Sequence, residues 1–134
     1  MAIVSRWPVL IAVPLAPDET GDDHLLTAAG VERVFAMARS VYLAECTSLD
    51  GVTVEVGPVR TSGRPLIGFS DTVMVATGVV EIYPDSFVMN ARIWAPDGEG
   101  DKVEASCTCS TGEPLPDACR DEFIARAHSA GHMA

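Results

Sequence analysis

One stretch of the sequence, residues 26–46, has the pattern of a single long helix. It contains no proline, is rich in alanine, and its apolar residues recur at intervals of three and four, the spacing of one helical face. Thr27 or one of the preceding aspartates, Asp22 and Asp23, can cap the first turn. The residues on the apolar face are Val31, Val34, Phe35, Ala38, Val41 and Tyr42. A face of this length must be covered, so the rest of the chain has to supply a second layer.

The segments around this helix have the β-branched and aromatic residues of strands. They are residues 9–15 before the helix and residues 52–59, 72–82, 86–94 and 103–110 after it. Short connections between the later segments favour antiparallel pairing, whereas residues 95–101 predict a longer exposed turn. The predicted order is therefore one strand, the long helix and four strands in a meander.

The length and the patterning together predict one α+β domain. The chain has 134 residues, of which 48% are apolar, enough to bury a core of its own. We predict a single domain over 1–134, with a core at about 9–116 and a C-terminal helix at about 118–129. In the strand at 72–82 both alternating sets of side chains are largely apolar, so both faces need cover. One helix covers one face, and the other face or the sheet edge is expected to meet a second subunit in a homodimer or homotetramer.

The charge balance limits the partners. Nineteen acidic residues against nine basic ones give a net charge of −10, which opposes binding to nucleic acid or anionic lipid. An anionic small ligand would need a local cluster of cations; Arg60, Arg64 and Arg92 are the candidates, and each can equally be a solvated surface arginine. The apolar run at 9–15 is shorter than the roughly 20 residues that cross a bilayer, and a single cation, Arg6, precedes it. We therefore predict a cytoplasmic protein with no membrane segment and no nucleic-acid partner.

Two of the four cysteines, Cys107 and Cys109, fall in an alternating strand pattern with Val103 and Ala105. This alternation places both thiols on the apolar face of the strand. A zinc site would need further Cys or His ligands at suitable spacing, and none is evident. In a reducing compartment disulfides are not expected. We predict buried structural thiols, no metal site and no cofactor.

Several local patterns occur along the chain in the order found in one known family. Residues 35–39 read Phe-Ala-Met-Ala-Arg, similar to a family helix pattern Phe-x-x-Ala-Arg. Arg-Pro at 64–65 and the strand at 71–77 resemble the family's Arg-Pro, short spacer and Asp-x-Leu-x-Val-x-Thr. Residues 102–114 look like its last strand and exit. Over about 9–116 the chain thus resembles the 4-hydroxybenzoyl-CoA thioesterase-like branch of the hotdog-fold thioesterase superfamily.

This resemblance implies both a fold and a chemistry. The fold is the hotdog fold, in which an antiparallel sheet of about five strands wraps around one long central helix. The chemistry is hydrolysis of an acyl thioester on coenzyme A or an acyl carrier protein, in a cleft between two subunits. N–H groups at the helix start polarise the thioester carbonyl, and a carboxylate activates water or forms an acyl-enzyme. Small residues there, including Ala29 and Gly30, would let the thioester approach the backbone, and Arg60 and Arg64 are the candidates for holding an anionic carrier.

The stretch before the helix departs from the family pattern Asp-x-Asp-x-x-Gly-His-Val-Asn, in which the second Asp is the catalytic carboxylate. The matching stretch is 18–24, where the position of the second Asp is Thr20, or Gly21 when the alignment is anchored on the helix. Neither residue can act as a base. The asparagines after the histidine are absent, and the helix glutamate of another branch is Ala36 or Met37 here.

Other carboxylates lie directly before the helix. Asp22 and Asp23 adjoin His24, and Glu19 lies five residues before it, a spacing that weakly resembles the Asp and His of hydratase relatives. We predict these four as the catalytic candidates, with Glu32 as an outside candidate; each acid could instead be a solvated surface or capping residue. The predicted function is acyl thioester hydrolysis. Two alternatives stay open: a non-enzymatic module that binds acyl thioesters or scaffolds an oligomer, and an enoyl-thioester hydratase or dehydratase.

Overall fold

The computed structural model of the chain describes residues 7–68, 70–96 and 102–129. Arg6 and most of the predicted turn at 95–101 lie outside these ranges. In chain order, the α-helices and strands are β1 (Val9–Pro14), α1 (Ala28–Glu45), β2 (Glu55–Val56), β3 (Arg60–Thr61), β4 (Thr72–Ile82), β5 (Ser86–Trp94), β6 (Val103–Ser110) and α2 (Asp117–Ser129). The predicted α+β class, long helix and C-terminal helix are confirmed. No helix within these ranges is long and apolar enough to cross a membrane.

Helix α1 begins at Ala28, two residues later than predicted, because the backbone before it is paired elsewhere. Leu26 N donates to Pro65 O at 3.0 Å, and Thr27 N donates to Glu19 O at 2.7 Å. Thr27 then acts as the N-cap, its hydroxyl accepting a hydrogen bond from Gly30 N at 3.0 Å. The predicted apolar face is the buried one, with Val34, Phe35 and Tyr42 fully enclosed.

The antiparallel sheet has the strand order β1-β4-β5-β6-β2, with β3 also paired to β6. The predicted meander of four strands is therefore wrong in its first member. Only β4, β5 and β6 follow one another across the sheet. After α1 the chain runs to the far edge and pairs with β6, while β1 pairs with β4.

The predicted strand at 52–59 is replaced by two short strands, β2 and β3. Pro58 lies between them and has no N–H for a strand ladder. Gly57 N donates to Thr108 O at 2.8 Å, and a Cβ on Gly57 would lie 3.0 Å from that same oxygen. The close approach of β6 at Gly57 and the proline together interrupt the strand.

The core lies between α1 and the inner face of the sheet. Strand β6 contributes the alternating set predicted from the sequence, Val103, Ala105, Cys107 and Cys109, all of them buried. All four cysteines are buried and unpaired. The predicted placement of the thiols is confirmed.

A β-bulge in β4 changes which of its residues face the core. The register shifts between Val79 and Glu81, which pair with Met89 and Val88. Because the bulge inserts Val80 as an extra residue, both Val79 and Ile82 are buried in the core. The continuous alternation predicted for 72–82 therefore holds only as far as Val79.

The outer face of the sheet carries a set of neighbouring apolar side chains, here called the outer patch. Met74 pairs with Ala12 on one side and with Trp94 on the other, and Leu10 pairs with Ala76. Ala76 is 1% exposed and the others are half-buried or exposed. The sheet thus has apolar residues on both faces, as predicted for β4.

Helix α2 packs against the C-terminal end of α1. The Phe123 ring lies 4.7 Å from the Phe87 ring and 6.2 Å from the Tyr42 ring, measured between centroids. Arg126 stacks over Tyr42, donates to the Tyr42 carbonyl at 2.8 Å and forms an ion pair with Glu45. These contacts close the C-terminal end of α1, whereas its N-terminal end meets the loop that carries the predicted site.

Candidate functional site

The loop before α1 is held in a tight, extended conformation. Thr20 forms a bridge with Leu26, and Leu25 forms one with Leu66. The His24 carbonyl accepts hydrogen bonds from Ile67 N at 3.0 Å and from Gly68 N at 3.3 Å. His24 itself has a φ of 62°, in the left-handed region that few residues other than glycine adopt. Backbone contacts on both sides therefore fix the position of His24.

Glu19 forms the shortest ion pair of this region, with Arg33. Arg33 from α1 donates to its two carboxylate oxygens, each at 2.6 Å, and Ala16 N donates to it at 2.7 Å. Arg33 also donates to the Pro14 carbonyl at 2.7 Å. Glu19 is 8% exposed, and the pKa of its carboxyl is lowered, chiefly by the hydrogen bonds from Arg33. This predicted site residue thus ties the end of β1 and the loop to α1.

Asp23 is also engaged, although it lies at the surface. One carboxylate oxygen accepts from Leu25 N at 3.1 Å, and the other lies 3.2 Å from the Arg64 guanidinium. The pKa of Asp23 is lowered, first by the bond from Leu25 N and then by the charge of Arg64. By contrast, no described residue forms a hydrogen bond or ion pair with the carboxylate of Asp22.

A groove of about 650 Å³ runs beside this loop, and we call it the loop groove. Leu25, Leu66 and Val103 supply its apolar walls, and Arg64 and Lys102 supply two cations. Leu66 is 48% exposed. The predicted carrier residue Arg64 therefore lies next to Asp23, in a groove that is both apolar and basic. Lys102 was not predicted, since it is isolated from the other cations in the sequence.

The first turn of α1 presents two backbone N–H groups that donate to no acceptor among the described residues. The N–H groups of Gly30 and Val31 donate to the hydroxyl and the carbonyl of Thr27. Nothing in the described ranges accepts from the N–H groups of Ala28 and Ala29, and both residues are exposed. These donors, at the positive end of an 18-residue helix, favour a ligand that carries or develops negative charge.

Gly30 faces the core, away from this opening. A Cβ on Gly30 would lie 2.8 Å from Leu26 Cδ1 and 3.1 Å from the Thr27 hydroxyl. The absence of a side chain at Gly30 therefore allows Leu26 to pack and Thr27 to cap. The small residues that a ligand can approach are Ala28 and Ala29.

A second groove, of about 540 Å³, follows the exposed side of α1, and we call it the helix groove. Its helical wall contains Ala29, Glu32, Arg33, Ala36 and Arg39, and its other wall is the segment from Val56 to Val59. Val56 is 43% exposed. No described residue pairs with Glu32, so a free carboxylate lies one turn from the open N–H group of Ala29.

The sequence predicted the loop but not the helix groove. Its helical residues recur at positions i, i+3, i+4, i+7 and i+10, and two of them are alanines. Small residues at such intervals on the polar face of a helix are the signal that could have indicated the groove.

The remaining arginine candidates do not converge with Arg64. Arg60 is exposed on β3 and lies beside Ser106 at the far edge of the sheet. Arg92 forms an ion pair with Glu104 at 2.8 Å, and its guanidinium carbon lies 5.8 Å from the Trp7 ring centroid. Among the described residues, no group of three or more His, Cys, Asp or Glu side chains could hold a metal ion.

Comparisons with known proteins rest on the fold. No protein-family model matches the chain, and no curated protein matches it in sequence. A thioesterase from Thermus thermophilus, solved with coenzyme A and Zn, superposes with a TM-score of 0.73 at 20% identity, covering 91% of this chain and 96% of that one. A thioesterase-superfamily protein from Jannaschia sp. CCS1 gives a TM-score of 0.76 at 15% identity, covering 96% and 88%. A 1,4-dihydroxy-2-naphthoyl-CoA thioesterase from Synechocystis gives 0.68 at 9% identity, covering 87% and 95%.

These superpositions cover nearly the whole of each chain, so they compare complete arrangements of helices and strands. They agree with what the strand order and the buried face of α1 show independently. The chain has the hotdog fold, with a curled antiparallel sheet around the long helix α1 and a second helix at its C-terminal end.

Proposed function

We propose that this protein hydrolyses acyl thioesters carried on coenzyme A or an acyl carrier protein. The observation that carries the proposal is the pair of open N–H groups of Ala28 and Ala29, of which Ala29 lines the helix groove. A thioester carbonyl placed there would meet two donors and the positive end of the helix dipole. Both become more favourable as negative charge develops on the oxygen, which is the requirement for catalysis.

Glu32 is the base that this arrangement favours. It lies in the same groove as Ala29 and has no ionic partner among the described residues, whereas Glu19 and Asp23 are paired with Arg33 and Arg64. In the proposed reaction the Glu32 carboxylate takes a proton from water while the water oxygen attacks the carbonyl carbon. The oxyanion is held by the two N–H groups. It collapses with cleavage of the carbon–sulfur bond, and the leaving thiolate takes up the proton.

The loop residues would support this reaction by holding the loop in place beside the start of α1. Glu19 and Arg33 fix the loop to α1, and Asp22, Asp23 and His24 lie in that loop directly before the helix. The loop groove suits the carrier, because Arg64 and Lys102 can meet phosphate groups while Leu25 and Leu66 contact the apolar part of a pantetheine arm. The Thermus relative was solved with coenzyme A bound, which supports this class of carrier. Arg60 lines neither groove but directly follows Val59 of the helix groove, so it would contribute only at the margin.

We further propose that the protein acts in the cytoplasm as a homo-oligomer. Four buried, unpaired cysteines suit a reducing compartment. The outer patch and the short edge strands β2 and β3 offer surfaces for a second subunit, which could complete the cleft beside α1.

The test is hydrolysis of a panel of short, long and aromatic acyl-CoAs, followed by thiol release. Glu32→Gln is expected to lower kcat by about 10²-fold, as loss of a general base typically does, with thermal stability unchanged. Asp23→Asn, Glu19→Gln and His24→Ala are expected to have smaller effects. Glu113→Gln, an exposed glutamate in the turn after β6, is the matched control. A larger loss of kcat in Asp23→Asn than in Glu32→Gln would show that the general base is Asp23 in the loop.

A second candidate function is a non-enzymatic module that binds acyl thioesters. The observation in its favour is that two of the predicted catalytic carboxylates, Glu19 and Asp23, are committed to ion pairs. Binding of an acyl-CoA by the unmodified protein without any thiol release across the panel would favour this function.

A further inference from the structure

Arg39 lies at the opposite end of the helix groove from Ala29. Ten residues of helix separate their Cα atoms by roughly 15 Å. The guanidinium is closer than this, because helical side chains lean toward the N-terminus and its carbon lies 5.2 Å from the ring centroid of Phe35, one turn earlier. The cation is thus roughly 10 Å along the groove from the open N–H groups.

Unlike Arg33 and Arg126, Arg39 has no carboxylate partner among the described residues. Arg33 is paired with Glu19 and Arg126 with Glu45, whereas no described carboxylate lies within ion-pair distance of Arg39. Phe35 lies under its guanidinium, and the sulfur of the buried Cys107 lies 3.6 Å from one terminal nitrogen. Both contacts come from the core side, and no described residue accepts from its other N–H groups.

The groove between the two ends is neutral except near its start. Ala36 lies between the two ends on the helix, the opposite wall from Val56 to Val59 carries no charged side chain, and Arg33 is paired with Glu19. Glu32 lies near Ala29, seven residues or about two helical turns from Arg39, and no ion pair joins them. A ligand that spans the groove would therefore meet hydrogen-bond donors, then an apolar stretch, and then a cation.

We propose that Arg39 binds an anionic group at the far end of the acyl chain, so that the helix groove selects thioesters of acids that carry a second carboxylate. This proposal rests on the proposed function for the position of the thioester. A planar guanidinium held from behind by an aromatic ring can offer two parallel N–H groups to a carboxylate. Because the protein as a whole has a net charge of −10, an anion can be bound only where a single cation such as Arg39 is close to it.

The experiment compares suberyl-CoA with octanoyl-CoA, which share one chain length and differ in the terminal carboxylate. We expect the unmodified protein to have the higher kcat/KM for suberyl-CoA. Arg39→Gln is expected to lower that value by about 10- to 100-fold and to leave octanoyl-CoA hydrolysis within about twofold. Arg39→Lys, which keeps the charge, should retain part of the preference.

Binding of non-hydrolysable thioether analogues of the same two compounds, measured by calorimetry, separates the two proposals. Tighter binding of the suberyl analogue, lost in Arg39→Gln, would support the anion site even if no thioester were hydrolysed, in which case the proposed function alone would fail. Equal hydrolysis of both substrates, unchanged in Arg39→Gln, would overturn the anion site and leave the proposed function standing. Failure of both analogues to bind would also overturn the anion site.

Discussion

Among single residues, Glu19 shows that a loop sequence does not reveal which acids become ion-paired in the fold. In the sequence it is one of several carboxylates in a polar loop, and its spacing from His24 made it a catalytic candidate. In the structure it is 8% exposed and receives two hydrogen bonds from Arg33, fourteen residues away. A local pattern cannot indicate this contact, because it exists only after α1 has packed against the loop.

Glu19→Gln is expected to weaken the fold in a pH-dependent way. At about pH 7 the substitution should lower the free energy of unfolding by about 1–3 kcal/mol, since it removes a charge-assisted contact. The pKa of Glu19 is lowered in the folded protein, so its contribution is fully present above the usual value of 4.5 and is lost as the pH falls through the folded pKa. Urea denaturation at about pH 7 and about pH 3.5 checks this, with Glu113→Gln as control. A difference from the parent protein that stays constant across this pH range would contradict the assignment.

Gly30 lies in close contact with buried atoms at the start of α1. Because any Cβ there would press on the buried Leu26 and on the capping hydroxyl of Thr27, Gly30→Val should lower the free energy of unfolding by about 1–3 kcal/mol. Activity per folded molecule should be retained, since the open N–H groups belong to Ala28 and Ala29. Chemical denaturation together with kcat measured on the folded fraction checks both parts. Full stability with lost activity would show instead that Gly30 borders the ligand.

At the scale of elements, prediction from the sequence succeeded where a regular period continues and failed where tertiary contacts interrupt one. The buried face of α1 and the inner residues of β6 follow from spacings of 3.6 and 2, which are local properties. The strand predicted at 52–59 has acceptable propensity, but Pro58 and the close approach of Gly57 to Thr108 divide it. The bulge at Val80 could not be predicted from the sequence either, because inserting one apolar residue into an apolar run does not change the pattern.

The candidate site was predictable to a similar degree. The loop before α1 was identified because acids and a histidine cluster there in the sequence. The helix groove was not, because its second wall runs from Val56 in β2 to Val59, a segment whose placement required the correct strand order. Strand order depends on which edge of the sheet the chain reaches after the helix. A meander and a crossover to the far edge have the same local sequence patterns, so the sequence does not distinguish them.

At the scale of the whole molecule, the sheet has more apolar surface than one copy of the chain covers. Helix α1 covers the inner face, and α2 packs at its end. In the outer patch, Leu10, Ala12, Met74 and Trp94 keep exposed surface on three adjacent strands, β1, β4 and β5, whereas Ala76 is already buried. An apolar patch of this kind on a strongly acidic protein is typical of a contact between subunits.

We therefore expect at least a dimer in solution, held through the outer patch. Met74→Glu places a charge at the centre of the patch, between Ala12 and Trp94, and should shift the protein to a monomer at micromolar concentration. The fold should survive, because Met74 is half-buried and lies outside the α1 core. Light scattering coupled to size exclusion gives the mass of each variant, and Val56→Glu at the opposite edge of the sheet is the comparison. If Val56→Glu dissociates the protein and Met74→Glu does not, the subunits meet at the edge formed by β2 and β3. A stable monomer of the unmodified protein would contradict both interfaces and, with them, a cleft shared between subunits.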